Sequence, residues 1–272
     1  MKLIIMGAGY VGMALLHHLQ TLPHEIFITT THKERVIALS QYGHVLPLDA
    51  TSNTALKELI DSCDGMVVLV APCNSQNYEE TYLNTAKKIY SSLKDRRTPF
   101  YLVYTSSTSV CEGVQSEWVT EDMPLNPQSK NGKILIETER CYLSCDASVC
   151  LLRLGGIYGP GRELTDRARR LSGKEMPGKG NESTNHTHLE DIVNAIAFCL
   201  KHSLSGIYHL VNDDHPTRNE LYSSLCQSMM IPNPIWNPNL SEGKIKSYKV
   251  SNQKIKETGF NLNHPDLTSV EL

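Results

Sequence analysis

What the chain lacks narrows the field first. It has no apolar stretch long enough to span a membrane. Its formal net charge is only −3, so no excess of one sign marks a nucleic-acid or anionic-membrane surface. The one basic run, "RARR" (Arg167 to Arg170), reads as a solvated helix face, with a phosphate-bearing ligand as the other reading. Eight cysteines are present but no CxxC pair. Cys141 and Cys145, four apart on an expected helix, have no histidines at zinc-ligand spacing, so no metal site is expected. Scattered thiols in a chain of 272 residues read as the reduced, buried side chains of a cytoplasmic protein. No internal repeat is visible. The opening "MKLIIMGAGYVGMALL" begins like a signal peptide, but Gly7, Gly9 and Gly12 break the apolar run and no small-residue cleavage pattern follows.

What is present is an alternation. Residues 2–6 form a short apolar run, and 10–21 place Val11, Leu15, Leu16 and Leu19 at helical spacing. "EIFITTT" is β-branched and strand-like, followed by an expected helix over 33–42 and a strand at "HVLPL". A helix near 53–61, a strand "GMVVLVAP", a long helix over 79–95 and a strand "PFYLVYTS" complete the first half. Strand–helix alternation argues for parallel βαβ units. The strands are continuous apolar runs, as expected when helices cover both faces of a doubly wound α/β sheet. Beyond residue 107 the rhythm loosens: a Glu/Asp/Pro-rich loop, a helix over 130–145, the strand "SVCLLRLG" and the glycine-rich turn "GGIYGPGR". Thr187 with Glu190, and Thr217 with Glu220, have the spacing of capping boxes at two further helix starts. "GIYHLVN" lies between them as a strand.

"GAGYVG" (Gly7 to Gly12) follows a strand and opens a helix, the context in which G-x-G-x-x-G signals a dinucleotide. Gly7 permits the tight turn, Gly9 lets a pyrophosphate approach the backbone, and Gly12 lets helix and strand pack closely. The N–H groups of the helix start, around Tyr10 and Val11, then face the phosphates. The end of the second strand decides the dinucleotide. A carboxylate there would accept from the ribose 2′-OH of NAD. The chain instead has Thr31, His32 and Lys33, with Glu34 one residue later. Hydroxyl and cation suit a 2′-phosphate, so NADP is expected over NAD, with NAD the alternative. Lys33, Glu34 and Arg35 also fit the solvated first turn of the next helix.

The glycine loop, "SSTSV", the frame "SKNGK", "RLGGIYGPGR", "THLEDI" and the late "KIKETGF" occur together in this order. As a set they resemble an atypical short-chain dehydrogenase/reductase of the NAD(P)-dependent epimerase/dehydratase (extended) type, over almost the whole length. The resemblance implies a Rossmann core over 1–155, its sheet completed by about 206–211. Residues 156–272 would then form most of an interleaved substrate-binding region. It places Asp49 beside the adenine, Ala71 and Pro72 along the adenosine ribose, and Ser107 at the catalytic Ser/Thr position. Lys133 falls on the lysine of the Y-x-x-x-K frame, and His188 lies near the substrate pocket. In many members, helices corresponding to 79–95 and 130–145 form a dimer face, so a homodimer is an expectation. The partner class is a small-molecule substrate.

The chain departs from that pattern where the chemistry is done. Ser129 stands where the tyrosine belongs, and Cys111 replaces a second tyrosine. Gly132 adjoins Lys133, where a mid-helix glycine costs about 1 kcal/mol relative to Ala. The resemblance implies that a tyrosine phenol exchanges a proton with the substrate oxygen while hydride moves to or from the nicotinamide. A phenol titrates near ~10, and a neighbouring Lys⁺ brings it toward working pH. A serine hydroxyl is a far weaker acid and needs a separate base. Losing a positioned acid/base costs about 10²–10⁴ in rate. By chemistry His188 is the replacement whose pKa suits neutral pH; a structural histidine at the helix start is the equal alternative. Two functions therefore stay open: an NADP-dependent oxidoreductase or epimerase/dehydratase on a small polar or nucleotide-linked substrate, or a non-catalytic NADP(H)-binding sensor or interaction protein.

Overall fold

The computed structural model describes residues 1–48, 53–72, 78–240 and 247–267. Asp49 lies outside the described residues. In chain order the first half comprises β1 (Lys2–Met6), α1 (Tyr10–Leu19), β2 (Glu25–Thr30), α2 (Val36–Leu39), β3 (His44–Pro47), α3 (Asn53–Ser62), β4 (Gly65–Val68), α4 (Thr85–Leu93) and β5 (Tyr101–Ser107). There follow β6 (Trp118–Val119), α5 (Lys130–Leu143), β7 (Ser148–Leu154), β8 (Gly156–Tyr158), α6 (Leu164–Leu171), β9 (Glu175–Pro177) and β10 (His186–His188). The last elements are α7 (Leu189–His202), β11 (Gly206–Leu210), α8 (Arg218–Ser228), β12 (Ile235–Asn237), β13 (Lys249–Val250) and α9 (Gln253–Glu257).

Two compact units result. Met1–Val110, Gln128–Arg153 and Val193–Tyr208 form the first; Cys111–Pro127, Leu154–Ile192 and His209–Leu272 form the second. The first carries most of a seven-stranded sheet of order β11-β7-β5-β4-β1-β2-β3. The pairs β1–β2, β2–β3, β1–β4 and β4–β5 are all parallel. Chain order reverses between β1 and β4, the switch point at which open α/β sheets bind ligands. Continuous apolar strands explain the double covering: Leu3, Ile4, Ile5, Val67, Val68, Leu102 and Val103 are all fully buried. The amphipathic α1 contributes Gly12, Leu15, Leu16 and Leu19 to the core.

One expectation needs correction. The helix over 33–42 is instead a 3-10 turn (Lys33–Arg35) followed by the single turn of α2. The expected helix over 79–95 is present, helical from 78 to Leu93, with a π-helical segment at Glu80–Asn84 inside it. In the second unit the strands pair in twos, β8 with β10, β9 with β12 and β6 with β13. Its core brings Tyr158, Leu164 and Ala168 against Leu221, Tyr222, Leu225 and Cys226.

Candidate functional site

The glycine loop closes β1 onto α1 in the first unit. Gly7 has φ +104°, and a Cβ there would lie 2.8 Å from the Leu69 backbone beyond β4. A Cβ on Gly12 would lie 2.0 Å from the Gly7 carbonyl oxygen, so only glycine fits. Gly9 differs: nothing lies within 4 Å of the position a Cβ would take. Gly9 is also the N-cap of α1 and gives it no side-chain cap. Two positions closed to any side chain and one left open form a cradle that fits a pyrophosphate. Ala71 and Pro72 follow β4 and the Leu69 backbone that approaches Gly7.

At the end of β2 the expected contacts Thr31, His32 and Lys33 are exposed. The Thr30 hydroxyl accepts the His32 N–H at 3.1 Å and fixes the turn. His32 Nδ1 lies 3.0 Å from the Glu34 carboxylate. Arg35, which the sequence leaves as solvated helix, instead donates from Nη1 to the Ala8 carbonyl at 2.8 Å. Its guanidinium is thereby fixed to the glycine loop itself. Sequence spacing gives no hint of this contact; it depends on the close packing of β1 and β2.

Ser107 ends β5. Its Oγ accepts from the Ser109 N–H at 3.2 Å and the Ser109 hydroxyl at 2.9 Å. With both acceptor positions filled, its own proton is available to a ligand. The strand end is anchored from behind: Ser106 Oγ donates 2.6 Å to Glu139, which is buried against Arg153 at 2.8 Å. Arg153, near the end of β7, is a buried structural cation.

The frame "SKNGK" is the first turn of α5. Ser129 is the N-cap, its Oγ accepting the Gly132 N–H at 3.1 Å. Lys133 N–H closes the first helical bond onto the Ser129 carbonyl, also at 3.1 Å. Gly132 is therefore at the helix start rather than inside it, where its flexibility costs less. The Ser129 oxygen serves the cap as an acceptor, and the side chain is exposed. Lys133 is exposed, and its ammonium has no bonding partner among the described residues.

His188 belongs to the second unit, so the structure groups Ser107 and Lys133 in one compact unit and His188 in the other. The expected capping box at Thr187 is absent. Thr187 is a strand residue of β10, its hydroxyl accepting the Gly155 N–H at 2.8 Å and donating to the Leu210 carbonyl. The cap of α7 comes from His188, whose Nδ1 accepts the Glu190 N–H at 3.2 Å. That bond fixes the tautomer with the proton on Nε2. Burial, and then the neighbouring His264, lower the His188 pKa to about 4. The His264 ring lies 3.6 Å from that of His188 and bonds Glu190 at 2.8 Å. The donor atoms of these three residues lie within 4.8 Å of one another, but the His188 Nδ1 lone pair is already engaged. Beside them Tyr158 accepts from Asn212 at 3.0 Å, and burial raises its phenol to about 12. Cys111 is fully buried.

A sequence model of the NAD dependent epimerase/dehydratase family matches residues 3–212. The protein YeeZ of Escherichia coli K12 is 30% identical over 97% of both chains. Among solved structures, a putative NAD-dependent epimerase/dehydratase from Methylobacillus flagellatus superposes with a TM-score of 0.78 at 22% identity, covering 98% of this chain and 95% of the other. UDP-glucuronic acid 4-epimerase from Bacillus cereus, in complex with NAD, superposes with a TM-score of 0.76 at 17% identity, covering 94% and 92%. The seven-stranded Rossmann-like sheet, the glycine cradle at its switch point and these similarities lead to one assignment: the chain belongs to the NAD dependent epimerase/dehydratase family.

Proposed function

We propose that the protein is an NADP(H)-dependent oxidoreductase or epimerase/dehydratase acting on a small polar or nucleotide-linked substrate. The observation that carries the cofactor preference is Arg35 on the Ala8 carbonyl. One guanidinium nitrogen is used there; the remaining donors and the charge stay beside the loop, where a 2′-phosphate would form charge-assisted hydrogen bonds. Lys33 adds a second cation. The Bacillus cereus structure holds NAD, so the preference for NADP rests on this chain's own residues.

The bound nicotinamide would supply or take up a hydride. Gly9 and the α1 start hold the pyrophosphate in this reading, and Lys133 donates to the nicotinamide ribose hydroxyls. Ser107 donates its remaining proton to the substrate oxygen and polarises it. Ser129 does not take the tyrosine's part, because its hydroxyl is a far weaker acid than a phenol and needs a separate base. His188, with its proton on Nε2 and its Nδ1 engaged by the Glu190 N–H, is not set up as a base. Water then exchanges the proton that a tyrosine would handle.

A specific observation favours the second reading, a non-catalytic NADP(H)-binding protein: Ser129 has a structural task and no phenol occupies its position. One experiment separates the two. Purified protein is incubated with NADPH and a panel of sugars, nucleotide-sugars and carbonyl compounds, and loss of the reduced cofactor's absorbance is followed. Saturable turnover that Ser107→Ala lowers supports the enzyme. Tight NADPH binding without turnover of any compound supports the sensor.

A further inference from the structure

Residues 263–267 form a strap within the second unit. Asn263 and His264 both donate their backbone N–H to the Asp191 carboxylate, at 2.6 and 3.1 Å. Asn212 bonds the His264 carbonyl through its side-chain amide. The Pro265 carbonyl accepts the Asp213 N–H at 2.7 Å. Asp214 accepts the Leu267 N–H at 3.0 Å, and Leu267 joins the buried cluster that holds Tyr158 and Leu221. These bonds fix the backbone under the His264 ring and bring it to the first turn of α7, which carries Glu190 and Asp191.

Three donor side chains meet there. His264 Nε2 lies 2.8 Å from Glu190 Oε2. The His264 ring centroid is 3.6 Å from that of His188, with the planes tilted by 37°. One donor atom from each of the three lies within 4.8 Å of the others, and no second group of three His, Cys, Asp or Glu does this among the described residues. The other Glu190 oxygen, Oε1, accepts from Asn263 Nδ2 at 2.9 Å. That bond orients the carboxylate from outside the trio, as the outer partners of metal ligands do. Donors bonded to a tetrahedral zinc(II) at about 2.0–2.2 Å stand about 3.3–3.5 Å apart. Glu190 is exposed and both histidines are partly exposed, so rotation of the side chains can close the remaining gap. Two bonds yield to the ion. The His188 Nδ1 lone pair leaves the Glu190 N–H, held at 3.2 Å, the long end of the hydrogen-bond range; water then serves that N–H. The ion replaces the proton between His264 and Glu190, with the imidazole carrying its own proton on Nδ1. The positive end of α7 opposes a cation, and Glu190 and Asp191 in its first turn offset that.

We propose that His188, Glu190 and His264 form a site for a divalent first-row transition cation, zinc(II) in the first place, which ties the strap to the start of α7. Two imidazoles and one carboxylate suit zinc(II), whereas magnesium prefers oxygen ligands throughout. The site needs neither nucleotide nor substrate, and it does not depend on the proposed function. Sequence spacing gives no sign of it, because His264 lies 74 residues beyond Glu190 and the cysteines take no part.

The test is calorimetric titration of the tag-free, metal-stripped full chain with zinc chloride and, separately, with magnesium chloride, in the absence of nucleotide. Four variants are compared with the wild type: His264→Ala, Glu190→Gln, Asn263→Ala and, as a control on α1, His17→Gln/His18→Gln. Thermal melts without metal check that each protein is folded. The wild type should bind one zinc(II) per chain, and magnesium about tenfold or more weakly. Removing an outer partner of a metal ligand costs about 10–100-fold in affinity. Asn263→Ala should therefore lose about that much, and His264→Ala and Glu190→Gln at least as much. The α1 control should bind zinc(II) as the wild type does. Zinc(II) should also raise the melting temperature of the wild type and leave that of His264→Ala unmoved, because an ion that binds only the folded state stabilises it. Asn263→Ala keeps all three ligands and so decides the matter even where His264→Ala does not fold. Absence of zinc(II) binding, affinity unchanged in Glu190→Gln or Asn263→Ala, loss of binding in the α1 control, or magnesium held as tightly as zinc(II) would each overturn the proposal.

Discussion

Replacing Glu139 by Ala removes the carboxylate that joins β5, α5 and β7. Arg153 donates to it from Nε at 3.1 Å and Nη2 at 2.8 Å, and Ser106 donates from Oγ at 2.6 Å. Both members of the ion pair are 3% exposed. Truncating one partner leaves a buried guanidinium uncompensated, a loss of about 3–5 kcal/mol. For a chain of this size each kcal/mol moves the melting temperature by about 2–4 °C, so a fall of roughly 6–20 °C is expected by scanning calorimetry. The double variant Glu139→Leu/Arg153→Met removes both charges and should regain most of that fall, since apolar replacement of a whole buried pair is often neutral. Because Ser106 precedes Ser107, Glu139→Ala should also loosen the strand end that presents the Ser107 hydroxyl. A shift below about 2 °C in Glu139→Ala, or a double variant as unstable as the single one, would refute the claim that the pair anchors β5.

Four further outcomes follow from particular contacts. Ser129→Ala should cost about 1 kcal/mol in denaturant unfolding, through loss of the α5 cap, and leave NADPH affinity unchanged; a loss of affinity would give Ser129 a ligand contact. Lys133→Ala should weaken NADPH binding while leaving the melting temperature within about 1 °C of wild type; unchanged affinity would mean that its ammonium does not reach the ribose. His186 titrates near 4 when folded, against 6.5 as its ordinary value. Between those values the unfolded chain binds a proton that the folded chain does not, so stability should fall as pH drops from 6.5 to about 4, by up to roughly 3 kcal/mol. His186→Phe should flatten that slope, leaving the part due to His188; an unaltered slope would contradict the burial argument. Gly12→Ala should destabilise the first unit and abolish NADPH binding, because the new Cβ meets the Gly7 carbonyl; retained binding would overturn the cradle.

Much of this architecture is legible in the sequence because local signals and tertiary structure agree. Apolar runs such as "LIIM" and "GMVVL" become fully buried strands, and Thr217 with Glu220 forms the capping box that their spacing announces. Legibility ends where a side chain finds a distant partner. Thr187 has the same spacing to Glu190, yet Gly155 and Leu210 take its hydroxyl and His188 caps the helix instead. Arg35 looks like solvated helix because its contact, Ala8, lies 27 residues away. Ser129 was legible as a departure from a tyrosine; its task as an N-cap emerged from the start of α5. Each case has one cause: hydrogen-bond partners are chosen by packing, and residue spacing fixes only those within a turn or two.

The central claim is that the glycine loop and Arg35 together select a dinucleotide bearing a 2′-phosphate. Its most direct test is the ratio of NADPH to NADH affinity, measured by fluorescence titration on wild type and Arg35→Gln. The wild type should favour NADPH by about 10–100-fold, the worth of one or two charge-assisted hydrogen bonds. Arg35→Gln should bring the two affinities close together by weakening NADPH alone. Equal affinities in the wild type, a preference for NADH, or a ratio unaltered by Arg35→Gln would contradict the account.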